Sequence, residues 1–177
     1  MNKFIFILLC LMYNLKIAMA SVDINGISVY REAFEYVMSD MKTQKIFVSP
    51  YFEYIDCWDV LDSLDDAPCK KHIIKDILER SKFGCFSYEE EGKYSQELAL
   101  LKTPIKKPSY ILFFSKYNDG ICFASLVPVP FYIKKIKKNH IYRHIDVVRF
   151  NVSVNYLFIY DPDKKIRKVF KIHVQYD

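Results

Sequence analysis

Two nearly unbroken apolar runs, "SYILFFSK" and "GICFASLV", flank the tetrapeptide "YNDG" at Tyr117–Gly120, and this block constrains the fold more than any other part of the chain. Asp-Gly between such runs signals a two-residue hairpin, because the turn needs positive φ and Gly120 adopts it without steric cost. Runs that lack polar alternation predict strands covered on both faces, so both belong inside a sheet. A second pair, "VSVNYLFIY" and "KIRKVFKIHVQY", flanks "DPDK", where Asp161 and Pro162 suit the opening positions of a type I turn. In the last segment Ile166, Lys168, Phe170, Ile172, Val174 and Tyr176 alternate with Arg167, Val169, Lys171, His173 and Gln175, which predicts one dry face and one wetter face.

The N-terminal half follows a different period. Tyr30, Ala33, Phe34, Val37, Met38 and Met41 recur at helical spacing within "ISVYREAFEYVMSDMK", with charged residues elsewhere around the axis, and predict a core-facing helix. "QKIFVSPYFEYID" is rich in β-branched and aromatic residues but contains Pro50, which cannot donate a ladder hydrogen bond; an edge strand or two short strands follow. Further helices are predicted over Asp56–Asp66, from Pro68 onward, and in "SQELALLK" before Pro104. The expected fold is α+β, with N-terminal helices packed on a C-terminal antiparallel β-sheet built as a meander of hairpins. No Gly-rich loop follows any strand, which removes the chief support for a parallel nucleotide-binding architecture.

Residues 1–20 read as a signal peptide: Lys3, an apolar run from Phe4 to Tyr13, and the small-x-small pattern Ala18-Met19-Ala20. The run is about half the ~20 residues that span a bilayer. Cleavage near Ala20 leaves residues 21–177 as a single α+β domain, exported to a periplasm or secreted. It also removes Lys3 and Lys16 and no acid, so the formal charge falls from +5 to +3. Such mild basicity, with export, argues against nucleic acid as a partner.

Four cysteines then remain, Cys57, Cys69, Cys85 and Cys122, and an even number in an exported chain is compatible with two disulfides in any of three connectivities. A Cys57–Cys69 bridge would close a short loop.

"FYIKKIKKNHIYRH", Phe131–His144, is the densest mixture of cations and large apolar side chains in its part of the sequence. Lys134, Lys135, Lys137 and Lys138 read first as a solvated edge, where lysine also blocks unwanted strand pairing. With Tyr132 and Tyr142 they form the candidate ligand-binding set, suited to acidic glycans or, more weakly, an anionic membrane surface. His140 and His144 do not make a metal site: two strand residues four apart lie about 13 Å from each other, and no third ligand is in evidence.

Cys57 is the enzymatic candidate. In the first turn of a helix capped by Asp56 its thiolate would be favoured, and His140 or His144 could act as base, oriented by Asp146 or Asn155. Its stripe with Val60, Leu61 and Leu64 points it toward the core instead, where desolvation disfavours the thiolate. The acidic stretch of Asp56, Asp59, Asp62, Asp65 and Asp66, with Glu53 upstream, lacks the alternating carboxylates that fold a loop around calcium and reads as an exposed helix face. No cofactor is implied. The expected function is a small exported non-catalytic binding module for an extracytoplasmic protein, glycan or other ligand, and the alternative is a cysteine-dependent hydrolase using Cys57 with His140 or His144.

Overall fold

The computed structural model describes residues 24–42, 45–55, 91–101, 105, 107–130 and 152–175. In chain order the elements are helix α1 (Ile24–Met41), β1 (Ile46–Phe52), helix α2 (Gln96–Leu100), β2 (Tyr110–Phe114), β3 (Ile121–Pro128), β4 (Val152–Tyr160) and β5 (Ile166–Gln175). The strands form one sheet in the order β1-β2-β3-β4-β5. Three of the four pairings are antiparallel, and tight turns join two of them, β2–β3 and β4–β5. The β1–β2 pairing is parallel, Ile46 opposite Tyr110 and Val48 opposite Leu112, so the sheet is a meander only from β2 onward. A parallel neighbour needs a long connection, and here more than fifty residues separate the two strands.

The sequence-predicted hairpin forms at "YNDG". Asn118 and Ile121 exchange both backbone hydrogen bonds (3.0 and 2.9 Å), and Asp119 and Gly120 both have positive φ, 46° and 80°. Two positive φ values make this a type I′ turn, whose twist matches the flanking strands. One extra residue on the β2 side, beyond Phe114, forms a bulge; Ser115 Oγ accepts the Phe123 N–H at 2.9 Å there.

The second hairpin closes through Asp161. Its carbonyl accepts the Lys164 N–H (3.0 Å), its carboxylate accepts the Lys165 N–H (2.8 Å), and Lys164 takes φ 60°. A type I turn followed by a left-handed residue is the usual three-residue loop. The register then slips by one: Ile159 faces Lys168, but Tyr160 faces Ile166. This corrects the alternation read from sequence. Ile166 packs on the opposite face from Phe170 and Val174, because the bulge at Arg167 inserts a residue that flips everything before it.

Both faces of the inner strands are dry. On one, Val29, Tyr30, Ala33, Phe34 and Val37 of α1 and Leu98 of α2 pack on Val48, Leu112, Phe114, Ala124, Leu126, Tyr156 and Phe158. On the other, Ile121, Phe123, Leu157 and Ile172 cluster with Ile55. Ser95 caps α2 by accepting the Leu98 N–H at 3.3 Å. Among the described residues there is no disulfide. Cys122 lies fully buried on the α1 side of β3, its thiol directed at the Ser115 and Phe123 carbonyls, while Cys57, Cys69 and Cys85 lie outside the described residues.

Candidate functional site: the outer strand and its anchor

β5 differs from every other strand in what it exposes. Arg167, Lys168, Lys171, His173 and Gln175 are exposed, and of its ten residues Ile172 alone is buried. Together with Lys164 and Lys165 in the turn, this places five cations within the eight residues 164–171. Set against Asp161 and Asp163, they give residues 161–175 a formal charge of +3. Strand geometry spreads them along the sheet edge: Lys165 to Lys171 spans six residues, or about 20 Å. Lys168 sits on the Phe170 side with Nζ 4.5 Å from that ring's centre, a cation–π contact that holds it along the strand. Lys171 and His173 lie on the α1 side, opposite Tyr156 and Val154.

A three-membered polar brace fixes this strand to the rest of the fold. Lys171 Nζ lies 2.7 Å from Asp40 Oδ2 near the end of α1, and the Tyr156 hydroxyl donates to the same oxygen at 2.8 Å. Burial pushes the Asp40 carboxyl upward, but the hydrogen bonds from Lys171 and Tyr156, reinforced by the Lys171 charge, outweigh it and hold the group below its ordinary value. The Tyr156 phenol is driven far above its ordinary range by burial first and by the adjacent Asp40 second, so it remains a hydrogen-bond donor. Tyr36 packs edge-on against both Tyr156 and Phe158, covering the brace from the helix side.

On the other face, Asn155 is fully buried. Ser125 and Ser153 donate to its Oδ1 at 2.7 and 3.0 Å, and its Nδ2 is buried without a hydrogen-bond partner. Both serines engage the side-chain oxygen that would have oriented a catalytic histidine.

The other sequence-predicted site residues lie outside the described residues: Cys57, His140, His144 and Asp146 of the catalytic candidate, and Tyr132, Lys134, Lys135, Lys137, Lys138 and Tyr142 of the ligand-binding set. The same holds for Cys69, Cys85 and the aspartates from Asp56 to Asp66. Glu53, upstream of that acidic stretch, is buried, with its backbone N–H on the Phe114 carbonyl at 3.0 Å. Of the cations in "KKIRKVFK", the alternation assigns Arg167 and Lys171 to the wetter face and Lys168 to the face of Phe170 and Ile172, where the structure nevertheless leaves Lys168 exposed. Their density, five basic residues in eight, was the signal for a surface.

No helix among the described residues is long and apolar enough to cross a membrane, and no group of three metal-ligating side chains occurs among them. No protein-family model, curated protein or solved structure matches the chain.

Proposed function

We propose that the chain is a small exported binding module that holds its ligand without catalysis and presents its ligand surface along the outer strand β5. The observation that carries this reading is the run of exposed cations on an outer strand whose neighbour β4 is buried on both faces along most of its length. A rigid two-faced core fixes the strand, and the Asp40–Tyr156–Lys171 brace ties it to α1, so its charges are presented with little ordering left to lose on binding. The ligand is an extracytoplasmic protein or glycan with acidic character. Export rests on the leader-like segment ending at Ala18-Met19-Ala20, and predicts a mature chain that begins at Ser21.

Lysine footprinting tests the surface without presupposing the ligand. Acetylation of the protein in the cell fraction where it accumulates is compared with the purified protein in buffer. Selective protection of Lys165 and Lys168 is expected. Equal labelling in both settings overturns the reading. Rapid alkylation of Cys57 by iodoacetamide near neutral pH, lost when His140 or His144 is replaced, would favour the hydrolase instead.

A further inference from the structure

We infer that the ligand of the β5 edge is a linear anionic polysaccharide, one that carries sulfate or carboxylate groups along its length. This inference rests on the binding-surface reading above and names its substrate class. The first ground is shape. The cations left to a ligand stand in single file along the outer strand: Lys165 just before it, Arg167 at the bulge and Lys168 after it, within four residues. At about 3.3 Å per residue that row is about 10 Å long, a line of charge that suits a linear polyanion lying along the edge.

The second ground is what the hairpin lacks. The exposed large apolar side chains among the described residues are Tyr36, Tyr94, Leu100 and Val152, and none stands in the turn or in β5. An amphipathic segment that seats itself in a bilayer inserts apolar groups beside its cations, and this hairpin offers Pro162 and Asp163 at its exposed tip instead. Asp161 and Asp163 would face an anionic membrane edge-on, but a polymer that runs along the strand passes them by. Phe170 is already half-buried in the sheet, so it gives no open ring for stacking nucleobases.

The third ground is availability of charge. Lys171 is engaged by Asp40, whereas among the described residues no carboxylate is paired with the side chains of Lys165, Arg167 or Lys168. The last three are therefore the cations that supply the attraction, with Lys171 holding the strand in place.

The experiment compares three proteins: the mature chain, a variant with Lys165→Gln, Arg167→Gln and Lys168→Gln, and a variant with Lys134, Lys135, Lys137 and Lys138 each changed to Gln. Binding is measured to immobilised heparin, to polygalacturonate, and to phosphatidylcholine vesicles with and without phosphatidylserine. The expected result is binding to at least one polysaccharide that weakens about tenfold or more in the β5 variant and is retained in the four-lysine variant. The slope of log affinity against log salt should fall by about two to three, roughly one for each cation removed. Unchanged thermal melting of the β5 variant, and restored binding in a Lys165→Arg, Lys168→Arg protein, separate loss of charge from loss of fold. Binding confined to phosphatidylserine vesicles, but still dependent on the three cations, overturns the polysaccharide and leaves the β5 surface standing. Binding that depends on the four lysines alone, or no binding that depends on β5, overturns both.

Discussion

The two edges of the sheet are protected by different means. β1 is shielded by backbone: Pro50 has no N–H to offer, the Ser95 N–H donates to the Pro50 carbonyl at 2.7 Å, and Phe52 exchanges hydrogen bonds with Lys93 and Gly92 at 2.9 and 2.8 Å. Tyr51 and Tyr94 pair across that short contact with their rings edge to face. β5 is protected by charge, and among the described residues no strand pairs with its outer side. Lysines on an edge discourage unwanted pairing by themselves; the proposed ligand surface rests on the five basic residues among the eight from 164 to 171.

The contrast predicts that the two edges differ most in how they tolerate substitution. Beside the β1 edge the supporting residue is Phe114 of the inner strand β2, fully buried opposite Phe52 of β1 and edge-on to Tyr30. Phe114→Ala should cost about 3 to 5 kcal/mol in urea unfolding, through lost burial and an unfilled cavity. Lys168→Ala on the other edge should fall within about 0.5 kcal/mol of the unaltered protein. Equal costs at the two sites would mean that β5 serves the core and not a ligand.

The turn between β2 and β3 ties the inner strands together, because the Gly120 carbonyl also accepts the Tyr160 N–H at 2.8 Å and so aligns β4. Gly120→Val places a β-branched residue at φ 80°, with its Cβ 3.3 Å from the Tyr160 carbonyl oxygen. The expected destabilisation is about 1 to 3 kcal/mol. An unchanged melting temperature would show that the hairpin tolerates another turn, and that the register of β4 is set elsewhere.

What was legible in sequence follows from how local the cause is. The Asp119-Gly120 turn, the Asp161-Pro162 turn, the stripe of α1 and the burial of β2 and β3 are all encoded within a few residues of where they act. Pro50 likewise marked β1 as an edge. The parallel β1–β2 pairing was not legible, since no turn chemistry joins strands so far apart. Nor was the slip at Tyr160–Ile166, because a bulge leaves the apolar alternation looking regular in a one-dimensional reading. The Asp40–Tyr156 bond links residues 116 positions apart, beyond any spacing rule. The basic run on β5 was legible as composition, but its value as a surface needed the knowledge that β5 is outermost.

Asp40 sharpens the comparison at the β5 side by showing what holds that edge. Its carboxyl is held below its ordinary value in the folded chain, so the brace contributes stability above the unfolded pKa of about 3.9 and loses it as pH falls through the lower folded value. Asp40→Asn should cost about 1 kcal/mol at pH 7, a modest figure because the Asp40 and Lys171 side chains are 26% and 34% exposed. Melting curves between pH 7 and pH 2 should converge for the two proteins at the acid end. A constant gap across that range would assign the loss to the tyrosine hydrogen bond and not to the charge.

The smallest effect belongs to the turn that leads into β5. Lys164 occupies φ 60°, a region that costs a non-glycine residue about 1 kcal/mol, and glycine would relieve it. Glycine also gives the unfolded chain more freedom, which returns about 0.5 to 1 kcal/mol of that gain. Lys164→Gly should therefore change stability by no more than a few tenths of a kcal/mol, and the sign should be stabilising because the Asp161 carbonyl and carboxylate already fix the loop around it. Differential scanning calorimetry resolves a shift of that size. A clear loss of stability would show that the Lys164 side chain contributes to the hairpin, and would draw it into the set of cations that hold β5 rather than the set that faces a ligand.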